Sequence, residues 1–490
     1  MPRLRHVLSI ALMLSPTLPL LAQGHPKKED EAHDVLIPDP AKMQPLAAQI
    51  PIQFVAKAAN AKEWDELKSF WNEATGPAGK VVKIKVPLGL SSGPTVPPEN
   101  PMTVAKWVLG KKLYFDPILS SNKSVSCASC HDPKKGYTDQ STTSLGINNL
   151  LGGANAPTVI NSGYHRLQFW DGRADSLEAQ AQGPVGNSKE MFAGKGEPWV
   201  EAVQRLRADE GYVKAFEQVF GHAPTRDAAA KAIAAYERTV LVGNSLFDRA
   251  EVAMRKRVAE EESGKFELKA EDFLEVLKAA FAAKDAPAIS ALGLDPAKDA
   301  DKAADVAKRL ANGRNVYFGK ARCSNCHVGE NFTDLAFHNL GVGVKDGKLP
   351  ATELGRFGSQ PTGHKDPAVI GAFKTPGLRA LNSTGPYMHD GEEKTLEAVV
   401  DFYDRGGNAN EFLDPKMRDT DAEIAFVKAK AEGKEYTGPK PALFTRSGLP
   451  IIPFQLKLTP EEKADLVLFM KALQSDPVDA TVADKDWFPK

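Results

Sequence analysis

Cys127-Ala128-Ser129-Cys130-His131 is the stretch that decides the reading of this chain, and it returns as Cys323-Ser324-Asn325-Cys326-His327. Two cysteines three positions apart, with histidine next, let both thiols form thioethers to one porphyrin while the histidine ligates its iron. Each copy therefore predicts one covalently attached haem c. The chain has only 4 cysteines, and the two motifs use all of them. A structural zinc site would need further Cys or His ligands close by, and a redox dithiol needs no histidine at that place.

Working outward, helical spacing of Val104, Trp107, Val108 and Leu113 leads into the first motif, as Val306, Leu310, Val316 and Tyr317 lead into the second. The echo predicts two cytochrome c-like haem domains related by duplication. Few stretches alternate with period two, so the fold class is mainly α. Near the end, Thr459-Pro460-Glu461-Glu462 has the residues of an N-cap, a first-turn proline and a capping box. The expected division is 1–22 signal peptide, 23–101 N-terminal extension and linker, 102–300 first haem domain with an Ala/Lys-rich insert, and 301–490 second haem domain. Within the extension, Trp64, Leu67, Phe70 and Trp71 read as a helical patch over Ala56 to Ala74, and the Gly- and Pro-rich stretch up to Pro101 as a linker. From Asp248 to Leu310, Ala, Lys and Glu predominate, which predicts surface helices.

The 490 residues suffice for two to four domains. Lys plus Arg (62) nearly cancel Asp plus Glu (63), and a net charge of -1 argues against nucleic acid or an anionic membrane as the main partner. Arg3, Arg5 and His6, the apolar run Val7 to Leu21 and the small residue Ala22 form a secretory signal. Together with covalent haem, that points to the bacterial periplasm.

Several ordered blocks carry a resemblance. Ser126 to His131, Asn155-Ala156-Pro157-Thr158, Phe169 to Gln180, Glu190-Met191 and Lys374-Thr375-Pro376 through Pro386-Tyr387-Met388-His389-Asp390-Gly391 closely resemble the bacterial di-haem cytochrome c peroxidase/MauG superfamily. The resemblance covers about Met102 to Gln474. It implies that peroxide binds at the first haem, with Glu190 as acid-base group, Gln180 as a polar neighbour and Pro184 in the distal pocket. Heterolysis of bound peroxide needs a carboxylate that takes the proton from the near oxygen and hands it to the departing one. Family members that rest with both haems six-coordinate have a distal histidine where this chain has Ile147, which implies an open first iron. Over the second haem, the family position fourteen residues after His389 is Tyr403, where many members have methionine. An oxygen donor there favours oxidised iron. Met388 is a rival ligand, and core packing of Tyr403 is the plain alternative. The resemblance further places Trp170 between the porphyrins and a calcium ion on Asn155, Thr384 and Pro386.

The sequence thus predicts a periplasmic di-haem peroxidase that reduces hydrogen peroxide with electrons from a small c-type cytochrome or copper protein, with a homodimer open by analogy. The first alternative is a MauG-like oxidase acting on residues of a partner protein. The second is a di-haem electron carrier without catalysis.

Overall fold

The computed structural model describes residues 49–261 and 265–489. The expected signal segment, 1–22, and residues 23–48 lie outside the described residues. The described part begins with a small sheet in the order β1 (Ile52–Val55), β3 (Gly79–Lys85), β2 (Trp71–Gly76), with α1 (Ala61–Glu66) beside it. β1 runs parallel to β3, with Ile52 opposite Val82; β2 runs antiparallel to it, with Trp71 opposite Ile84.

This corrects the helical patch and the linker. The helix spans only one turn and a half, and Trp71 opens a strand. The spacing of Trp64, Leu67, Phe70 and Trp71 is compatible with a helix, but the run Val81-Val82-Lys83-Ile84 supplies β-branched residues that pair with it and bury Val82 and Ile84. Tertiary pairing overrides a short local period.

The remainder is mainly helical. In chain order it contains α2 (Val104–Phe115), α3 (Cys127–Cys130), α4 (Leu177–Gly186), α5 (Pro198–Arg207), α6 (Glu210–Phe220), α7 (Arg226–Glu237), α8 (Leu246–Glu260), α9 (Ala270–Ala282), α10 (Ala286–Ala291) and α11 (Ala303–Phe318). After these come α12 (Gly355–Ser359), α13 (Leu396–Asp404), α14 (Thr420–Ala431), α15 (Pro460–Ala472) and α16 (Ala480–Ala483). Thr459 caps α15 through Glu462, as the sequence predicts.

Two helix crossings organise the cores. α2 crosses α7 at Gly110, where an added Cβ would collide with the carbonyl of Ala232, and α11 crosses α15 at Gly313, where it would collide with the carbonyl of Asp465. Only glycine lets the backbones approach this closely. Four residues beyond each glycine stands a tyrosine that reaches its motif: Tyr114 Oη donates to the His131 carbonyl (2.7 Å), and Tyr317 Oη to the His327 carbonyl (2.8 Å).

The segment expected as surface helices is in fact core. Leu246, Ala250, Met254, Phe273, Leu277 and Phe281 are buried in one apolar cluster with Leu310, Val316 and Phe469 of α11 and α15. Lys and Glu crowd the outer faces of α8 and α9, so composition hides an apolar stripe at three- and four-residue steps. Asp248 on α8 is also held by a buried two-pronged ion pair with Arg379, at 2.7 and 3.0 Å.

Candidate functional site

The two motifs open onto one cavity of about 870 Å³, lined by Cys130 and His131 at one end and Cys323, Cys326 and His327 at the other. Around the first motif, Ser126 and Ser129 form a capping box over the single turn of α3, which leaves His131 at its C-terminus. His131 Nδ1 faces the Tyr137 carbonyl at 3.4 Å, and His327 Nδ1 donates to the Phe332 carbonyl at 2.9 Å. Burial lowers the pKa of both imidazoles. A neutral ring whose Nδ1–H is held by a backbone carbonyl presents Nε2 as a metal ligand.

All four cysteines are free of disulfides, and burial raises the Cys127, Cys130 and Cys323 thiols, Cys130 to about 11 and Cys323 to about 12. Two buried polar atoms without a hydrogen-bond partner among the described residues, Ser162 Oγ and Glu237 Oε2, belong to residues on the cavity wall. A mainly apolar cavity with paired thiols, a neutral imidazole at each end and unpaired polar atoms on its wall fits haem c at both motifs.

Above His131 the cavity is walled by α4 and the loop after it. Gln180, Pro184, Asn187 and Glu190 all line it. Ser176 caps α4 by accepting from the Ala179 N–H, which fixes the face that carries Gln180 and Pro184. Asn187 Nδ2 donates to Glu190 Oε1 at 2.5 Å, while Oε2 has no hydrogen-bond partner among the described residues. Burial raises the Glu190 pKa, against the opposing pull of Arg173 and the Asn187 bond. Ile147, at the place of the family's distal histidine, is fully buried in the first core and turned away from the cavity. Its N–H donates to the Glu190 carbonyl (2.8 Å), so the loop braces the carboxylate segment.

At the other end, Tyr403 on α13 faces the second motif. Its hydroxyl makes no hydrogen bond among the described residues, and burial, then the Cys326 and Cys323 thiols, push the phenol well up. Thr395 caps α13 through Ala398, as Ser176 caps α4. The turns before the two helices also match: Phe169 and Met388 both have positive φ (66° and 69°), and so do Gly172 and Gly391 (66° and 65°). Met388 sits in that turn, packed beside the second core. Trp170 follows Phe169 as His389 follows Met388, and fourteen residues further on stand Pro184 and Tyr403 respectively.

Trp170 also lines the cavity. Its Nε1 donates to the Asn155 carbonyl (2.9 Å), and the Asn155 N–H donates to the His389 carbonyl (2.8 Å). The Trp170 and His389 rings meet edge-on at 6.4 Å, and His389 stacks on Phe373 at 3.5 Å. Asn155, Thr384 and Pro386 line the same cavity; the Thr384 and Pro386 carbonyls accept no hydrogen bond from described residues. Sequence reasoning passed over Phe373, Glu237 and Lys374. Lys374, whose pKa burial lowers to about 8, donates to the Leu167 carbonyl and lies 3.4 Å from His165. His165, half-buried, also lines the cavity. The Lys374-Thr375-Pro376 block was the one signal for any of these.

The family profile for di-haem cytochrome c peroxidase matches residues 104–256. The methylamine utilization protein MauG of Methylorubrum extorquens is 32% identical over 391 residues, covering 79% of this chain and 83% of that protein. The cytochrome c551 peroxidase of Nitrosomonas europaea is 32% identical over 357 residues, covering 72% and 85%. Among solved structures, a MauG-like protein associated with microbial copper homeostasis superposes with a TM-score of 0.55 at 27% identity, covering 81% of this chain and 97% of that one.

Proposed function

The chain belongs to the di-haem cytochrome c peroxidase family, and on that premise we propose that it reduces hydrogen peroxide at the first motif with electrons relayed past the second. The observation that carries this division of labour is the pairing of Pro184 with Tyr403. At matching places after matching turns, one helix offers a residue that cannot ligate iron and the other a phenol on the cavity wall near Cys323 and Cys326.

Haem c held by Cys127, Cys130 and His131 would supply an iron able to bind peroxide and pass it two electrons. The side chains manage the protons. Glu190 in its ionised form takes the proton of the near oxygen on its free Oε2 and returns it to the far oxygen, which leaves as water. Asn187 holds the other carboxylate oxygen still. Two further protons, drawn from solvent, complete the balance: hydrogen peroxide, two electrons and two protons give two waters. Gln180 offers an amide on the same wall, and Pro184 keeps the pocket free of a competing ligand. Trp170, with its N–H tied to the Asn155 carbonyl and its ring against His389, bridges the two ends for electrons.

Duplication of a cytochrome c-like unit accounts for the paired crossings at Gly110 and Gly313, the paired Tyr114 and Tyr317 bonds and the paired turns. The unpaired Thr384 and Pro386 carbonyls beside Asn155 support a calcium site, since oxygen donors suit a hard cation. A periplasmic location rests on the signal-like residues 1–22. Tyr403 in place of methionine, with the likeness to MauG, favours a second reading in which the oxidising equivalents act on residues of a partner protein.

Electron paramagnetic resonance of the ferric holoprotein tests the asymmetry. One high-spin and one low-spin signal is the expected result; two low-spin signals would favour a plain electron carrier. Steady-state assay with peroxide and a reduced c-type cytochrome then separates the two catalytic readings, because negligible turnover alongside fast haem oxidation favours the protein-oxidising role.

A further inference from the structure

Both motifs hang from a tyrosine, but what packs behind each tyrosine differs. Behind Tyr317 stand Phe318 and Phe469, at 5.0 and 5.3 Å between ring centroids, followed by Phe247. Beside Tyr114 stands Phe115, at 5.2 Å and the counterpart of Phe318, but the rings behind that pair are oxidisable ones. Tyr114 lies 4.8 Å from Tyr236, Tyr236 lies 6.0 Å from Trp107, and Trp107 lies 4.8 Å from Trp71 and 6.1 Å from Trp487. Trp71 and Trp487 close the group at 5.6 Å. Tyr137, whose carbonyl faces His131 Nδ1, joins through its hydroxyl, 3.3 Å from that of Tyr236.

We propose that this Tyr/Trp column is a route by which oxidising equivalents leave the first haem site for the protein surface where the N-terminal sheet meets the C-terminal tail, with Trp107 as its bottleneck. The proposal rests on the peroxidase reading above and assigns the sheet of residues 52–85 a part in it.

Three observations carry it. The column starts on the two residues that hold the ligand histidine. Beyond the phenylalanine that follows each tyrosine it consists of Tyr and Trp, whereas the next rings at the second motif, Phe469 and Phe247, are phenylalanines, which resist one-electron oxidation. It also has a direction: Tyr114, Tyr236 and Trp107 are fully buried, Trp71 is 8% exposed, and Trp487 is half-buried next to the exposed tail residues Asp484 to Asp486. Trp71 comes from the N-terminal sheet, which lies outside the family match.

The chemistry favours tryptophan as the carrier. An indole gives up an electron without surrendering its proton, while the phenols of Tyr114 and Tyr236, held protonated by burial, serve as bridging rings. Lys111 Nζ stands 5.1 Å from the Trp107 centroid, and burial lowers its pKa to about 8, so that above that pH it is neutral and no longer opposes a positive charge on that ring. With an external one-electron donor present, each hole at Trp71 or Trp487 is refilled. Without one, two successive holes and a water leave a hydroxytryptophan and two protons, so that tryptophan and hydrogen peroxide together give hydroxytryptophan and one water.

The test treats the ferric holoprotein with a small excess of hydrogen peroxide and no reductant. It follows the haem spectrum, then locates added oxygen by peptide mass spectrometry. In the native sequence the added oxygen is expected on Trp71 or Trp487 and absent from Trp199, which is buried near the first haem but outside the column. In Trp107→Phe that labelling falls, and the oxidised haem spectrum lasts longer, each by about tenfold or more. Turnover with a reduced cytochrome stays as in the native protein. Unmodified Trp71 and Trp487 after full peroxide consumption, or equal labelling in Trp107→Phe, overturns the route. If Trp107→Phe does not fold, the double variant Trp71→Phe/Trp487→Phe decides: a longer-lived oxidised spectrum supports the route, and an unchanged lifetime refutes it. A native holoprotein whose haem spectrum does not answer to peroxide refutes the peroxidase reading itself, and the route falls with it.

Discussion

Replacing Glu190 with glutamine isolates the proton transfer assigned to this residue. The amide has the same shape, and its Oε1 can still accept the 2.5 Å bond from Asn187, so the loop and its brace to Ile147 stay in place. What is lost is the group that accepts and returns the peroxide proton. A positioned acid-base side chain is worth about 10²- to 10⁴-fold in rate. Glu190 is substantially buried, so bulk water is a poor substitute, which keeps the loss above the lower end of that range. The expected fall in the second-order rate constant for peroxide is about 10³-fold, or about 4 kcal/mol at 1.36 kcal/mol per decade. Stopped-flow mixing of ferric holoprotein with peroxide measures it. The ionised carboxylate is the active form and burial raises its pKa, so the native rate falls as pH drops through a value above the ordinary 4.5, and the variant lacks that limb. A Glu190→Gln rate within a few-fold of native, or an acid limb that survives the substitution, refutes the assignment.

Tyr403→Phe is expected to convert the low-spin ferric signal of the second haem to high-spin while the first stays unchanged, as read by electron paramagnetic resonance. Pro184→Tyr, which places a phenol where the matching helix has one, is expected to shift the first haem toward low-spin and slow peroxide binding. Asp248→Ala leaves the buried Arg379 guanidinium without its carboxylate and is expected to cost about 3–5 kcal/mol, seen as a lower denaturant midpoint with the haem spectrum intact at low denaturant. At His338 burial acts to lower the pKa, but hydrogen bonds to Asp414, the Cys326 sulfur and Asp334 outweigh it and raise the pKa from 6.5 to about 10. Its charge therefore stabilises the fold fully below pH 6.5, and that contribution is lost as pH rises through about 10. The deficit in denaturant midpoint of His338→Gln is expected to shrink over that window.

The amino-acid sequence alone determined the features that depend on short-range chemistry. A thioether pair needs two thiols at one fixed spacing and an iron ligand beside them, so Cys127 to His131 and Cys323 to His327 were legible without any structure. The capped start of α15 and the helix before each motif were legible for the same reason. Position within a resemblance located Gln180, Glu190, Trp170 and Tyr403, and the structure brings all four onto one cavity wall. Tertiary structure decided whatever depends on contacts between distant segments. The three- and four-residue spacing around Trp64 to Trp71 gave way to strand pairing with Val81 to Ile84. The charged surfaces of α8 and α9 hid a face that only α11 and α15 could bury. Pro184 and Tyr403 gained their common meaning from turns with the same backbone angles, and the column from Tyr114 to Trp487 draws on five separate stretches of chain. Burial and ring stacking follow from where the chain returns to itself, which no local pattern encodes.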